Sequence, residues 1–248
     1  MPEISPSKYL VTAGWDDVPH LDEKTKAELL AATPPYLRDA RSKGTPSLGP
    51  GAIYPVPENE IVVDPFAIPD HWPRSFGLDV GWNRTAAVWG AIDRETNVSY
   101  LFAEYYRGQA EPSVHVAGIK GRGEWIPGVI DPASRGRTQR DGEQLLHDFI
   151  SLGLPATLAN NAREAGIYAV WELLSTGRLK VFKTLQNWLS EYRVYRRDDK
   201  GAVVKEYDHL MDATRYWTVS GRDVAIIKPV AGSAWSRGNM NSGSWMSA

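Results

Sequence analysis

The feature that most restricts this chain is a pair of short apolar runs, each ending in an aspartate followed by small residues. SFGLDVG stops at Asp79 with Gly81 behind it, and GVIDPAS stops at Asp131 with Pro132, Ala133 and Ser134 behind it. Apolar runs this short, bounded by turn formers, have the length of buried strands rather than of helices. The small residues leave room at each strand end for the backbone of another molecule. Between the two runs lie TAAVWGAID and VSYLFAEYYR, separated by the polar turn DRETN. The first three strands therefore form an antiparallel meander. A helix over EPSVHVAGIKG leads into the fourth strand.

Beyond Asp131 helices and strands alternate. GEQLLHDFISLG is amphipathic, with Leu145, Leu146, Phe149 and Leu152 on one side. ATLAN is a short strand. EAGIYAVWELLSTGRL is a helix with Ile167, Val170, Trp171 and Leu174 at helical spacing and Gly177 as its C-terminal cap. KVFKTL is a further strand. EYRVYRRDDKGAVVKEY reads as a β-hairpin, because Tyr192 and Val194 alternate with arginines and DDKG is a turn signal. YDHLMDATRYWTVSG is the last helix. The expected class is α/β, a mixed sheet flanked by helices with a β-hairpin insertion, and such sheets carry chemistry at the ends of their strands.

Residues 1–70 differ. Prolines recur at Pro34, Pro35, Pro46, Pro50, Pro55, Pro57, Pro65 and Pro69. One helix is predicted from its cap Asp22 through Ala32, and a second from Thr33-Pro34 to near Gly44. The segment is expected to be a linker without its own core, residues 71–230 the main domain, and the Gly-, Ser- and Asn-rich residues 231–248 a flexible tail. The formal net charge is -2 and there is no cysteine, so any polyanion must meet a local patch, and disulfides, thiolate metal sites and cysteine nucleophiles are excluded. The chain has neither a secretory signal nor an apolar run of about 18 residues, so no membrane partner is expected.

If the first and fourth strands are neighbours, Asp79 and Asp131 project side by side, and a helix packed across that edge can add Asp212. Crowded carboxylates repel unless a cation lies between them. Hard oxygen ligands suit Mg²⁺ or Mn²⁺, and two such ions ~4 Å apart can activate water and stabilise the leaving oxygen of a phosphodiester. His209 precedes Asp212 by one helical turn and shares its face, as a ligand or proton-transfer group. Asp208 is a rival third ligand, and Lys228 is a weaker candidate for approaching a phosphate.

FGLDVGWN, GVIDPAS and DHLMDATRY, in this order and spacing, resemble the three acidic motifs of the nuclease domain of phage DNA-packaging terminase large subunits. The likeness covers about Arg74 to Lys228. GWDDVPHLDEKTKAELLAATPPYLRDARSKG resembles the segment that joins the packaging ATPase to the nuclease. The resemblance implies a ribonuclease H-like fold. It implies two Mg or Mn ions on Asp79, Asp131 and Asp212, and cleavage of concatemeric viral double-stranded DNA with little sequence specificity. It also implies a host-cytoplasmic setting, with the terminase ATPase domain, small terminase subunit and portal as partners. No Gly-rich phosphate loop ending in Gly-Lys-Ser/Thr occurs, so the chain is expected to cut DNA without hydrolysing ATP, as a fragment following an absent ATPase domain.

DNA contact is expected from two basic clusters. Arg135, Arg137 and Arg140 follow Asp131, and Arg193, Arg196, Arg197, Lys200 and Lys205 decorate the hairpin. Trp82 is a further candidate contact. Three competing readings remain. A Holliday-junction resolvase or other ribonuclease H-like nuclease shares the acids but leaves residues 1–70 unexplained. An actin-like phosphotransferase also opens on GLDVG but needs a second glycine-rich motif. A non-catalytic portal or capsid docking scaffold would not need three acids.

Overall fold

The computed structural model describes residues 3–5, 8–9, 13–32, 42–43, 51–131 and 147–229. Strands β1 (Glu3–Ser5) and β2 (Lys8–Tyr9) pair with each other, helix α1 spans Glu23–Ala32, and the short helix α2 spans Glu58–Ile61. Asp22 caps α1 by accepting from the Thr25 N–H at 2.7 Å. Apart from Ser42 and Lys43, which are helical, the expected helix from Thr33 to Gly44 lies outside the described residues, as do the tail 231–248 and the basic cluster Arg135, Arg137 and Arg140.

The body is one seven-stranded mixed sheet. Its strands are β3 (Val62–Val63), β4 (Arg74–Asp79), β5 (Thr85–Asp93), β6 (Val98–Arg107), β7 (Gly128–Ile130), β8 (Ala156–Leu158) and β9 (Leu179–Phe182), in the order β3-β9-β6-β5-β4-β7-β8. The β4-β5-β6 meander is antiparallel as expected, while β7 runs parallel to β4, and β9 parallel to β6. Leu78 pairs with Ile130, and the Asp131 N–H donates to the Leu78 carbonyl at 2.9 Å. The two acid-terminated strands are thus neighbours and end at the same edge.

Both faces are covered, which the continuous apolar reading of β5 requires. Alternation along the strands divides the core in two. Ala87, Trp89, Phe76 and Leu78 face α3 (Pro112–Lys120) and Phe149. Ala86 and Val88 face α4 (Arg163–Ser175), α5 (Gln186–Val194) and α6 (His209–Tyr216). Trp89, Trp188 and Trp217 are fully buried, each contributing roughly 3 kcal/mol of hydrophobic stabilisation. Part of the segment expected to be a linker enters this core through Ile53, Tyr54, Val56 and Ile61, and β3 extends the sheet. Among the described residues no helix is long and apolar enough to cross a membrane.

The hairpin expectation needs correcting. Its first half, through Val194, is the helix α5, because Trp188, Leu189 and Tyr192 bury one face at helical spacing. The alternation of Tyr192 and Val194 with arginines imitated a strand over too few residues to separate a period of two from one of 3.6. What remains of the hairpin is a tight turn over Asp198–Ala202, closed by a single bridge between Arg197 and Val203.

A carboxylate cleft as the candidate active site

Residues of one parity along β4 build the site. Phe76 and Leu78 enter the core on one face, so Ser75, Gly77 and Asp79 point to the other, where α6 lies. Ser75 Oγ accepts from Trp217 Nε1 at 2.9 Å and donates to the Gly221 carbonyl at 2.6 Å. Asp79 Oδ2 meets His209 Nδ1 at 2.9 Å. Gly77 sets how closely the helix can approach, since a Cβ there would lie 2.2 Å from the Ala213 carbonyl oxygen and 2.8 Å from Trp217 Cβ. At Gly90, on the neighbouring strand, a Cβ would fall inside the Trp217 indole. Two glycines therefore seat α6 directly on the sheet, and the helix continues through a π turn at Trp217–Gly221.

This seating brings Asp212 over the strand ends. Asp79, Asp131, Asp208, His209, Asp212 and Tyr216 line one cleft of about 590 Å³, with Arg163, Lys205 and Asn161 on its rim. Asp131, Asp208 and Asp212 are buried. Burial raises the Asp79 carboxyl to about 6; the bond from His209 opposes the rise, and the charges of Asp212 and Asp131 add to it. His209 is shifted upward by the same bond to Asp79, against the effect of burial. An ionised Asp79 accepts, so Nδ1 is the donating nitrogen and Nε2 is left for proton exchange.

Cations already answer these acids. Arg215, fully buried, places Nε and Nη2 each 3.1 Å from Asp212 Oδ1. Arg163 and Lys205 each approach Asp212 Oδ2 at 3.5 Å, and Lys205 also stands 3.3 Å from Asp208 Oδ2, which is buried without a hydrogen bond. Gly166 of α4 makes room for Arg215, since a Cβ there would lie 2.5 Å from Arg215 Cγ. The donor set is all-oxygen apart from the histidine, as a hard divalent ion requires, and the acids share one cleft. Among the described residues, however, no group of three or more His, Cys, Asp or Glu is arranged to hold a metal ion. In chemistry the residues fit a divalent ion; in position, Lys205 and Arg163 stand beside Asp212.

The expected residues separate into groups. Asp79, Asp131, Asp212, His209 and Asp208 come together, and Lys205, half-exposed, joins them as a partner of Asp208 and Asp212. Arg196 and Lys200 are exposed. Arg193 is bound bidentately to Glu58, at 2.6 and 2.8 Å, and Arg197 binds Glu164. Lys228 is a correction: its Nζ pairs with Asp70 at 3.2 Å, beside Arg74 at the opposite end of β4 from Asp79, so it does not reach the cleft.

Glu191 was missed, because the surrounding residues read as a strand. It is a buried carboxylate on α5 that accepts from the Leu210 N–H at 2.6 Å and from Tyr106 Oη at 2.7 Å. Burial pushes its carboxyl up, and these bonds pull it partly back. It caps the helix that carries His209 and Asp212. Glu191→Ala is expected to cost about 2 kcal/mol in urea denaturation, with Glu191→Gln intermediate, because an amide oxygen can replace only part of the cap. Equal stability of all three proteins would remove Glu191 from this role.

An antiparallel meander extended by parallel strands, with carboxylates at adjacent strand ends beneath a helix bearing a third, is the arrangement of the ribonuclease H-like class. The Terminase RNaseH-like domain family matches residues 76–220, and the chain belongs to that family. It is similar to the terminase large subunit of Salmonella phage P22, with 32% identity over 91% of this chain and 47% of that protein. The terminase large subunit of Enterobacteria phage LP7 is 33% identical over 86% of this chain and 46% of its own. The chain thus spans about half the length of the curated relatives it matches. Among solved structures, the P22 large terminase nuclease domain superposes with a TM-score of 0.68 at 29% identity, covering 73% of this chain and 97% of that one.

Proposed function

We propose that this chain is a metal-dependent endodeoxyribonuclease that cuts concatemeric viral DNA during genome packaging. The observation that carries the reading is the common edge at which Asp79 and Asp131 end neighbouring parallel strands, with Asp212 in the same cleft. The relationship to a P22 nuclease domain supports it.

Asp79, Asp131 and Asp212 would hold two Mg²⁺ or Mn²⁺ ions, with Asp208 at hand as a further oxygen donor. When bound, such ions neutralise phosphate charge and make water a nucleophile near neutral pH. The chain's own residues supply the rest. Asp79 orients the His209 ring through Nδ1, so that Nε2 can exchange a proton with water or with the leaving oxygen. Arg163 and Lys205 draw the phosphate backbone to the cleft rim; such contacts weaken with salt and carry no sequence information. Arg215 holds Asp212 from behind. Residues 71–230, with residues 51–63 packed into their core and sheet, would form the nuclease domain, and the segment before them the link to an ATPase domain. The small subunit and portal would be further partners in the host cytoplasm.

Supercoiled plasmid incubated with the protein and Mn²⁺ should be nicked and linearised, and both chelator and Asp131→Ala should abolish this. Cleavage that persists in the Asp131→Ala protein would place the chemistry elsewhere.

A further inference from the structure

Tyr207 immediately precedes the acidic helix, and its backbone is held at φ 54°. This left-handed conformation is costly for a residue with a bulky side chain, and Gly, Asn or Asp would adopt it more easily. Burial of the ring does not compensate, because Tyr207 is 66% exposed. Among the described residues its ring and hydroxyl have no partner. Folding alone therefore gives no reason for an aromatic residue here.

The surroundings supply one. Tyr207 lines a second cleft, of about 400 Å³, with Arg84, Tyr106 and Glu206. Lys205 and His209 line this cleft and the carboxylate cleft alike, so the two adjoin. The Arg84 guanidinium lies over the Tyr106 ring at 4.4 Å, which holds a cation at the cleft wall. Across the strand ends, Trp82 is also 66% exposed, on a loop braced by the bond from the Gln109 N–H to its carbonyl at 2.8 Å. Cations that track a phosphate chain beside exposed aromatic faces are the chemistry of a nucleotide-binding groove.

We propose that Tyr207 is a DNA-contact residue whose ring packs against the nucleotide next to the scissile phosphate, an inference that rests on the nuclease reading of the carboxylate cleft. The left-handed turn projects the ring outward while Asp208, the next residue, stands at the N-cap position of the helix and lines the carboxylate cleft.

The test uses a fluorescein-labelled DNA duplex, followed by anisotropy without divalent metal and by cleavage with Mn²⁺. Tyr207→Asn keeps a residue suited to the backbone but removes the ring. It should melt at or above the wild-type temperature yet bind the duplex about tenfold more weakly, with KM raised and kcat nearly unchanged. Tyr207→Phe should bind as the wild type does. The proposal is overturned by wild-type binding in Tyr207→Asn, by a weakening in Tyr207→Phe as large as in Tyr207→Asn, or by weaker binding that comes with a lowered melting temperature. Wild-type protein that neither binds nor cuts the duplex overturns the nuclease reading and this contact with it. Wild-type cleavage with unaltered Tyr207→Asn overturns the contact alone.

Discussion

Asp212→Ala is expected to abolish cleavage and also to destabilise the fold, by about 3–5 kcal/mol, because it leaves a fully buried arginine without its counter-charge. The loss of rate should reach about a thousandfold, the scale of several kcal/mol of lost transition-state stabilisation. Urea denaturation and plasmid cleavage read the two effects separately. Asp212→Asn divides them further: its amide oxygen can still accept from Arg215, so stability should recover in part while cleavage stays absent. An Asp212→Ala protein as stable as the wild type would mean that Arg215 is neutralised by some other group. Removal of Asp131 does not leave Arg215 unpaired, so its expected effect is on activity.

Gly77→Ala should impair cleavage with every carboxylate still in the chain. The added methyl would meet the Ala213 carbonyl oxygen and the Trp217 backbone, and neither can swing aside as a side-chain tip could. Overpacking of this kind costs about 3 kcal/mol or more, or the helix lifts from the sheet to relieve it. Lifting moves Asp212 and His209 away from Asp79, and a shift of about 1 Å in catalytic groups can cost roughly a hundredfold in rate. A lowered melting temperature with lost cleavage is the expected pair of results. A Gly77→Ala protein that cuts normally would show that the helix need not touch the strand for the site to work.

How legible the site was differed residue by residue. Asp79 and Asp131 were readable because a buried strand ends abruptly in sequence, and the polar residue at that end has nowhere to go but the edge. Asp212 was readable through the resemblance of DHLMDATRY, since a single acid in an amphipathic helix has no distinguishing pattern of its own. Lys205 was read as one of a DNA-contacting basic row, and the fold also sets it 3.3 Å from Asp208 and 3.5 Å from Asp212, which no local pattern announces. Glu191 was hidden inside an alternation too short to tell helix from strand. Lys228 was misplaced because distance along the chain says nothing about which end of β4 a returning segment meets.

The sequence by itself determined most of the strands, the antiparallel meander, the two strand-end acids and the oxygen-rich chemistry they favour. Those properties are local: apolar period, turn residues and side-chain type act over a few positions. Only the tertiary structure decided that β7 lies against β4, that Gly77 and Gly90 let α6 rest on the sheet, and that Arg215 and Lys205 turn inward to the acids. These are matters of which surfaces meet, settled by packing among residues far apart in the chain, where a missing methyl group matters more than any motif.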